Sequence, residues 1–152
     1  MEAQSPDAAF EHDAFRHLDV LYEYARLMTG DLEEASSLVR KSYLNAYRTW
    51  TENSHRQNVR TELIRFLRGS IVSNSTSGHR ERQDPENDLE FALQRLPEEL
   101  RSTLILCDHE GFSYHEIAEC LDCPIDFIPR KLHEARLLIR GVLEPMARES
   151  NV

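Results

Sequence analysis

Apolar residues recur along the chain three or four positions apart and nowhere alternate with period two long enough to suggest a strand. In the N-terminal half this spacing predicts three helices, over about Ala14–Met28, from Asp31 onward, and over about Val59–Val72. Gly30 is expected to end the first helix, and the Asp-x-x-Glu arrangement of Asp31 and Glu34 can cap the second. The pattern is that of an all-α protein.

The C-terminal half contains shorter apolar stripes separated by breaks. A short helix is predicted over about Leu89–Leu96, and a longer one follows it. Ser113 and Glu116 are spaced as a capping box at the start of the next helix. After a turn, a long last helix is predicted from Asp126. A short helix, a tight turn and a second helix form the geometry of a helix-turn-helix.

Residues 73–87 separate the two halves and contain no apolar side chain. Their serines, asparagines, glycine, proline and mixed charges are typical of a flexible linker. The predicted fold is therefore all-α, with two small helical modules at residues 10–72 and 88–147 joined by a flexible linker at 73–87. We expect the two modules to share no core and to move independently. Limited proteolysis should then cut first near Gly78–Arg82.

Charge is sorted into blocks along the chain. The net charge is −9, but residues 35–82 carry nine basic and three acidic side chains, whereas residues 83–122 carry eleven acidic and two basic ones. The basic block is where a phosphate-facing surface could lie. A solvated basic face with no ligand is the alternative that composition leaves open.

Several classes of protein and site are not expected. The N-terminus lacks the basic start and apolar core of a signal peptide, and no apolar run is long enough to span a membrane, so no membrane insertion is predicted. The odd number of cysteines argues against a disulfide framework and favours the cytoplasm. Cys120-x-x-Cys123 has no second ligand pair at zinc spacing, which predicts buried free cysteines and no metal. No nucleophile–base set, phosphate loop or paired-carboxylate motif is present, so neither an enzyme, nor a cofactor, nor a small-molecule substrate is expected.

In a helix-turn-helix the first helix braces the second, whose exposed N-terminal face enters the major groove of DNA. Here some basic side chains of the last helix would lie on that N-terminal face. Others would lie further along the helix, where they could contact DNA phosphates. The residues predicted to contact DNA are Arg130, Lys131, His133, Arg136 and Arg140, with Ser113 and Tyr114 at the start of the bracing helix. The alternative is an ordinary helical hairpin with a basic, solvent-facing side.

Two stretches of the chain resemble a known family. The segment LPEELRSTLILCDHEGFSYHEIAECLDCPIDFIPRKLHEARLLIR is similar to region four of extracytoplasmic-function sigma factors, and LYEYARLMTGDLEEASSLVRKSYLNAYRTW is similar to their region two. The resemblance implies a sigma factor that directs core RNA polymerase to promoter DNA for transcription initiation, with an anti-sigma factor as a further partner. Its first module would melt and read the downstream promoter element through Arg60, Arg65 and Arg68, the last two pointing away from the buried stripe of their helix. Its second module would read the upstream element.

The second predicted helix departs from that family. The resemblance implies an acidic, glutamine-bearing face that grips the polymerase clamp. The corresponding partner-contact residues here are Glu34, Ser37, Arg40 and Lys41, beside Ser36. A face whose charge is reversed should repel the partner of the original face. Two functions stay open: a divergent sigma factor whose polymerase and promoter contacts changed together, or a sigma-factor mimic that binds an anti-sigma factor without productive polymerase or DNA binding.

Overall fold

The structure is a computed structural model that describes residues 6–52, 58–75 and 87–150. These residues form helices and contain no strand, so the predicted all-α fold is confirmed. The helices are α1 (Pro6–Phe15), α2 (Leu18–Thr29), α3 (Leu32–Glu52), α4 (Val59–Ser75), α5 (Asp88–Arg95), α6 (Glu98–Leu104), α7 (Tyr114–Leu121) and α8 (Phe127–Ser150). A π-helical turn, Ile105–His109, continues α6.

The first predicted helix is in fact two helices, because the chain bends between α1 and α2. The Ala14 carbonyl accepts a hydrogen bond from the Tyr43 hydroxyl of α3 at 2.9 Å. It also accepts one from the His17 amide at 3.2 Å, which closes a turn only three residues long. α2 then starts at Leu18. The prediction of one helix over Ala14–Met28 is therefore wrong at its N-terminal end, where a contact with α3 decides the backbone.

The turn between α2 and α3 is built as predicted. Gly30 has a φ of 70°, the left-handed conformation that favours glycine, and its amide bonds the Arg26 carbonyl at 2.8 Å. The Asp31 carboxylate accepts bonds from the amides of Glu33 and Glu34 at 2.9 and 3.2 Å. These bonds satisfy amides that have no partner inside the helix, so both terminal signals are confirmed.

The segment expected to link the two modules begins later than predicted. α4 continues through residues 73–75, which are helical rather than linker. At the other end, the Asn87 side chain accepts a bond from the Glu90 amide at 2.9 Å and caps α5. Residues 76–86, including the cleavage site predicted near Gly78–Arg82, lie outside the described residues.

The two halves of the chain share one hydrophobic core, which contradicts the expectation that each would pack alone. Buried side chains of both halves form a single cluster, whose members include Leu21, Leu63, Leu67, Leu106, Ile117 and Leu132. α4 packs against α3 of the N-terminal half and against α7 of the C-terminal half, and so connects the two. Because a small helical module buries a limited core by itself, docking removes apolar surface from water that neither half could cover alone.

Polar groups buried between the halves are paired across the boundary. The hydroxyls of Tyr24 in α2 and Ser102 in α6 lie 2.6 Å apart, and burial raises the pKa of Tyr24, so the phenol is neutral. Arg101 of α6 is only 8% exposed and donates to the Met28 carbonyl, near the end of α2, at 2.7 Å. Its other carbonyl partners belong to Leu93, Gln94 and Leu96. A cation is favourable at the negative end of a helix dipole, so the C-terminal half caps α2.

Candidate nucleic-acid and partner interfaces

α7, the turn after it and α8 follow in the order and spacing of the predicted helix-turn-helix. The Ser113 hydroxyl accepts from the Glu116 amide and the Glu116 carboxylate accepts from the Ser113 amide, both at 3.2 Å, which confirms the capping box. α7 is followed by Asp122, whose φ of 54° is left-handed. Ser113 is thus engaged in capping, while the neighbouring Tyr114 is exposed.

α8 has a buried face and an exposed basic face. Ile128, Leu132 and Ala135 are buried where the helix packs against α5 and α6. The α8 basic face consists of the exposed side chains Arg130, His133 and Arg140. Within the described part of the chain, none of these three makes an ion pair. An exposed basic face on a braced helix is the arrangement that a major-groove contact requires.

Two further basic residues of α8 are engaged by carboxylates of the same half. The Lys131 ammonium lies 2.6 Å from a carboxylate oxygen of Glu99, and the lysine side chain is only 16% exposed. Arg136 donates two bonds to Asp108, at 2.6 and 3.0 Å. These bonds hold the pKa of Asp108 below its usual value. The basic row predicted for DNA contact is therefore divided, with Lys131 turned back toward α6 and Arg136 paired at the surface.

The three arginines of α4 predicted to face the promoter, hereafter the α4 arginines, face the C-terminal half. Arg60 pairs with Glu116 of α7, and its guanidinium carbon lies 3.9 Å from the centre of the Phe112 ring. Arg68 donates to both carboxylate oxygens of Glu98, at 2.9 and 3.1 Å. Arg65 lies 3.3 Å from the carboxylate of the residue that follows α7, Asp122.

In each of the two less exposed pairs, the pKa of one member is shifted toward its charged form. Burial raises the pKa of Glu116, but the Arg60 guanidinium and the Ser113 amide outweigh that effect, and the net pKa is lowered. Burial lowers the pKa of the Arg68 guanidinium, but the carboxylate of Glu98 outweighs it and the net pKa is raised. The Arg60 guanidinium thus favours the charged form of Glu116, and the Glu98 carboxylate favours the charged form of Arg68.

The residues of α3 predicted to contact polymerase or another partner lie on one accessible side of that helix. Ser37, Arg40 and Lys41 are exposed. Glu34 is half-buried, and one of its carboxylate oxygens accepts a bond from the Asn74 side chain of α4 at 3.4 Å. The exposed part of this surface is therefore basic, as the sequence indicated.

Solved structures of two proteins in complex with NepR have the same fold. The structure of the sigma factor RpoE in complex with the anti-sigma factor NepR, from Bartonella quintana, matches with a TM-score of 0.77 at 21% identity, over 90% of this chain and 97% of that one. An NMR structure of the PhyRSL–NepR complex from Sphingomonas sp. Fr1 matches with a TM-score of 0.69 at 24% identity, over 87% of each chain. At this level of identity the likeness concerns the fold.

Sequence comparison finds similarity to sigma factors, over part of the chain in most cases. Residues 86–139 match the family model "Sigma-70, region 4". The chain is 36% identical over 69 residues to the RNA polymerase sigma-H factor of Pseudomonas aeruginosa, covering 45% of this chain and 36% of that protein. It is 26% identical over 159 aligned positions to the ECF RNA polymerase sigma factor SigE of Mycolicibacterium smegmatis, covering 89% and 62%. The chain is thus similar to extracytoplasmic-function sigma factors, and its likeness to the sigma-70 family model lies in region four.

The chain spans less than two thirds of the length of these two relatives. The family is one of regulators and not of enzymes. The helix-turn-helix, from α7 to the middle of α8, falls inside the region-four match, whereas α4 and its arginines precede it.

The three cysteines of the chain are free thiols. Cys120 is buried and its sulfur lies 3.8 Å from the Thr61 carbonyl of α4, where burial raises its pKa to about 12. Cys123 is half-buried in the turn. Across residues 6–52, 58–75 and 87–150, no three histidine, cysteine or acidic side chains are grouped to hold a metal ion. In the same ranges no helix is long and apolar enough to cross a membrane.

Sequence reasoning missed the acidic partners of the α4 arginines. Glu98, Glu116 and Asp122 all lie in the acidic block at residues 83–122, opposite the basic block in sign. Opposite net charge in two segments was therefore a signal that they could dock. It did not identify the pairs, because these depend on how α7 lies along α4.

Proposed function

We propose that this chain is a sigma factor that directs core RNA polymerase to promoters for transcription initiation, with DNA binding through α8. The observation that carries the proposal is the α8 basic face, exposed on a helix-turn-helix that lies within the region-four match at residues 86–139. Major-groove readers present such a face on the second helix of the motif.

The positions along α8 suggest different tasks for its basic residues. Arg130 lies in the first turns of the helix and His133 one turn further on the same face. An arginine there can pair with a guanine edge through two parallel bonds. Arg140 lies about 15 Å beyond Arg130 at helical rise, where the phosphate backbone passes. Tyr114, exposed at the start of α7, offers a hydroxyl to a phosphate.

The partners follow from the same proposal. The chain would bind core RNA polymerase and promoter DNA in the cytoplasm, and it would act without chemistry of its own. Its relatives are named as RNA polymerase sigma factors, and a protein of the same fold is solved with an anti-sigma factor bound. An anti-sigma factor is therefore the regulatory partner that we propose.

Run-off transcription tests this function. Host core RNA polymerase and the chain are incubated with sheared host genomic DNA, and the 5′ ends of the transcripts are sequenced. The wild-type chain should yield start sites that share upstream and downstream elements, and Arg130→Ala with Arg140→Ala should reduce them strongly. The control, Arg95→Ala with Arg148→Ala, removes the same charge from exposed positions of α5 and the far end of α8 and should leave them unchanged. Unchanged start sites in the α8 variant, or none with the wild type, would contradict the proposal.

A sigma-factor mimic is the second candidate, because the exposed side of α3 is basic at Arg40 and Lys41. A polymerase clamp complementary to an acidic helix would repel this surface. The mimic would bind an anti-sigma factor and would not engage polymerase or DNA productively.

Restoring an acidic face on α3 separates the two candidates. The variant carries Ser37→Asp, Arg40→Gln and Lys41→Glu. If the chain is a mimic, this variant should bind a generic core polymerase more tightly than the wild type does. If it is a sigma factor adapted to its own polymerase, the variant should bind the host enzyme more weakly. Arg95→Glu with Arg148→Glu changes net charge equally elsewhere and serves as the control. Nanomolar binding of the wild type to host polymerase, together with initiation, would exclude the mimic.

A further inference from the structure

We propose that Glu134, an exposed acid of α8, determines DNA sequence specificity by selecting a cytosine close to the base that Arg130 contacts. The inference rests on the proposed function, because it takes α8 as the helix that enters the major groove. It goes beyond that function by assigning a base to an acidic side chain that lies among the basic residues of the helix.

Glu134 lies on the outward side of α8, beside the α8 basic face. Successive residues of an α-helix are about 100° apart, so residues two positions before and after the buried Leu132 both lie on the side opposite to it. Those residues are Arg130 and Glu134, and both are exposed. They are separated by one helical turn, a rise of about 6 Å. A guanidinium and a carboxylate therefore project from the same side of the helix toward one groove.

The carboxylate of Glu134 is not neutralised by the cations near it. Within residues 6–52, 58–75 and 87–150, neither Glu134 nor Arg130 makes an ion pair. Lys131 is held by a carboxylate of α6, and Arg136 is held by a carboxylate of the π-helical turn. Glu134 would therefore enter the groove as an ionised hydrogen-bond acceptor.

Base chemistry selects the partner of such an acceptor. In the major groove guanine and thymine present only acceptors for hydrogen bonds, which repel a carboxylate, whereas cytosine presents the donor of its N4 amino group. Adenine presents an amino group at N6, but its N7 acceptor lies beside that group. A carboxylate thus matches cytosine. Opposite any other base it would lose water and face an acceptor, which is unfavourable and excludes that base.

The outward side of α8 favours contact with bases over general binding to phosphates. A surface that serves phosphates carries cations, because phosphates repel a carboxylate. The start of α8 instead presents three different groups, since Phe127 is 47% exposed and lies about two turns before Glu134 on the same side. A phenyl ring can contact the methyl group of thymine, and the guanidinium of Arg130 can pair with guanine. Such variety matches a sequence, whereas uniform charge matches any backbone.

Selection from a library of duplexes with randomised base pairs measures the base preference of the full chain. The wild type should enrich a motif with a cytosine position and a guanine position within about two base pairs, given a rise of about 6 Å between the two side chains. Arg130→Ala should lose the guanine preference alone, and Glu134→Ala the cytosine preference alone. Glu134→Gln should exchange cytosine for adenine, because a glutamine amide pairs with N6 and N7 of adenine. The control, Glu144→Gln, neutralises another exposed acid of α8 and should leave the motif unchanged.

Two duplexes that differ only at this base pair sharpen the test. In fluorescence anisotropy the wild type should bind the cytosine duplex about tenfold more tightly than the adenine duplex, which is the size of effect that one mismatched base pair has. Glu134→Gln should reverse the order of the two duplexes. A reversal cannot come from loss of helix, which would weaken binding to both, and circular dichroism checks helix content.

An identical motif in the wild type and in both Glu134 variants would overturn the proposal. An equal gain of affinity for both duplexes in Glu134→Gln would overturn it too, because the carboxylate would then only repel phosphates, and so would a library from which the wild type enriches no motif. Neither measurement contains polymerase, so transcripts in the run-off assay would leave the proposed function intact in each of these cases. A cytosine preference without any start sites would contradict the proposed function alone.

Discussion

The α4 arginines and the α8 basic face are similar as sequence features, and the folded chain treats them in opposite ways. Both are sets of basic residues on one side of an amphipathic helix. The α8 set is exposed, whereas every member of the α4 set meets a carboxylate from the other half of the chain. A basic helix face therefore indicates a nucleic-acid surface only when nothing acidic in the same chain packs against it.

Neighbouring acids at the start of α6 illustrate the difference. Glu98 points across the boundary between the halves and pairs with Arg68. Glu99, the next residue, points the other way and pairs with Lys131 within its own half. These two neighbouring acids thus engage Arg68 of α4 and also remove Lys131 from the row predicted on α8. Adjacent side chains on a helix are about 100° apart, so they meet different elements.

The largest expected effect comes from the residue that docks the two halves. Arg101→Met removes a buried guanidinium that donates to carbonyls of both halves, and it should lower the free energy of unfolding by about 3 kcal/mol. Urea denaturation followed by circular dichroism measures this. Arg95→Met, at an exposed position of α5, is the control and should change stability by about 0.5 kcal/mol or less. Equal midpoints for the two variants would show that Arg101 does not contribute to docking the C-terminal half on α2.

Removing arginines from one surface at a time should show that the α8 basic face and the α4 arginines contribute differently to the salt dependence of DNA binding by the wild-type chain. Arg130→Ala with Arg140→Ala should lower the log–log salt slope for a mixed-sequence duplex by about 0.9, because Arg140 is the phosphate contact of the two and each such contact on double-stranded DNA contributes about 0.9. Arg60→Ala with Arg68→Ala should leave the slope nearly unchanged, because those arginines are already paired. Filter binding over a salt series measures both. An equal loss from the two double variants would mean that the surfaces are equally accessible.

The smallest expected effect comes from Ser113, which caps α7 next to the Glu116 carboxylate that pairs with Arg60. Ser113→Ala removes the hydroxyl that bonds the Glu116 amide and should cost about 1 kcal/mol of stability. Ser113→Asp keeps an acceptor at the N-cap and should restore most of it. Thermal unfolding followed by circular dichroism compares the two. A wild-type midpoint in Ser113→Ala would show that the capping box does not contribute to holding Glu116 opposite Arg60.

Much of the local structure could be predicted because it depends on neighbours in the chain. The caps at Gly30, Asp31 and Ser113 use bonds to residues no more than four positions away. The helix-turn-helix was predictable for the same reason, since its capping box and turn lie within a short stretch. The single helix expected over Ala14–Met28 failed because the hydroxyl of Tyr43, 29 residues from Ala14, intervenes.

The helical class, the helix ends set by local caps, the helix-turn-helix and the two oppositely charged segments all follow from the order of residues along the chain. Which basic residues stay exposed depends on how the helices pack. Arg60 and Glu116 are 56 positions apart, and Arg101 and the Met28 carbonyl are 73 positions apart. Periodicity defines which side of a helix is apolar, but not which other helix packs against its polar side. Which helices pack together depends on burying the apolar surfaces of both halves in one core. This packing brings carboxylates of the C-terminal half against the α4 arginines and leaves the α8 basic face exposed.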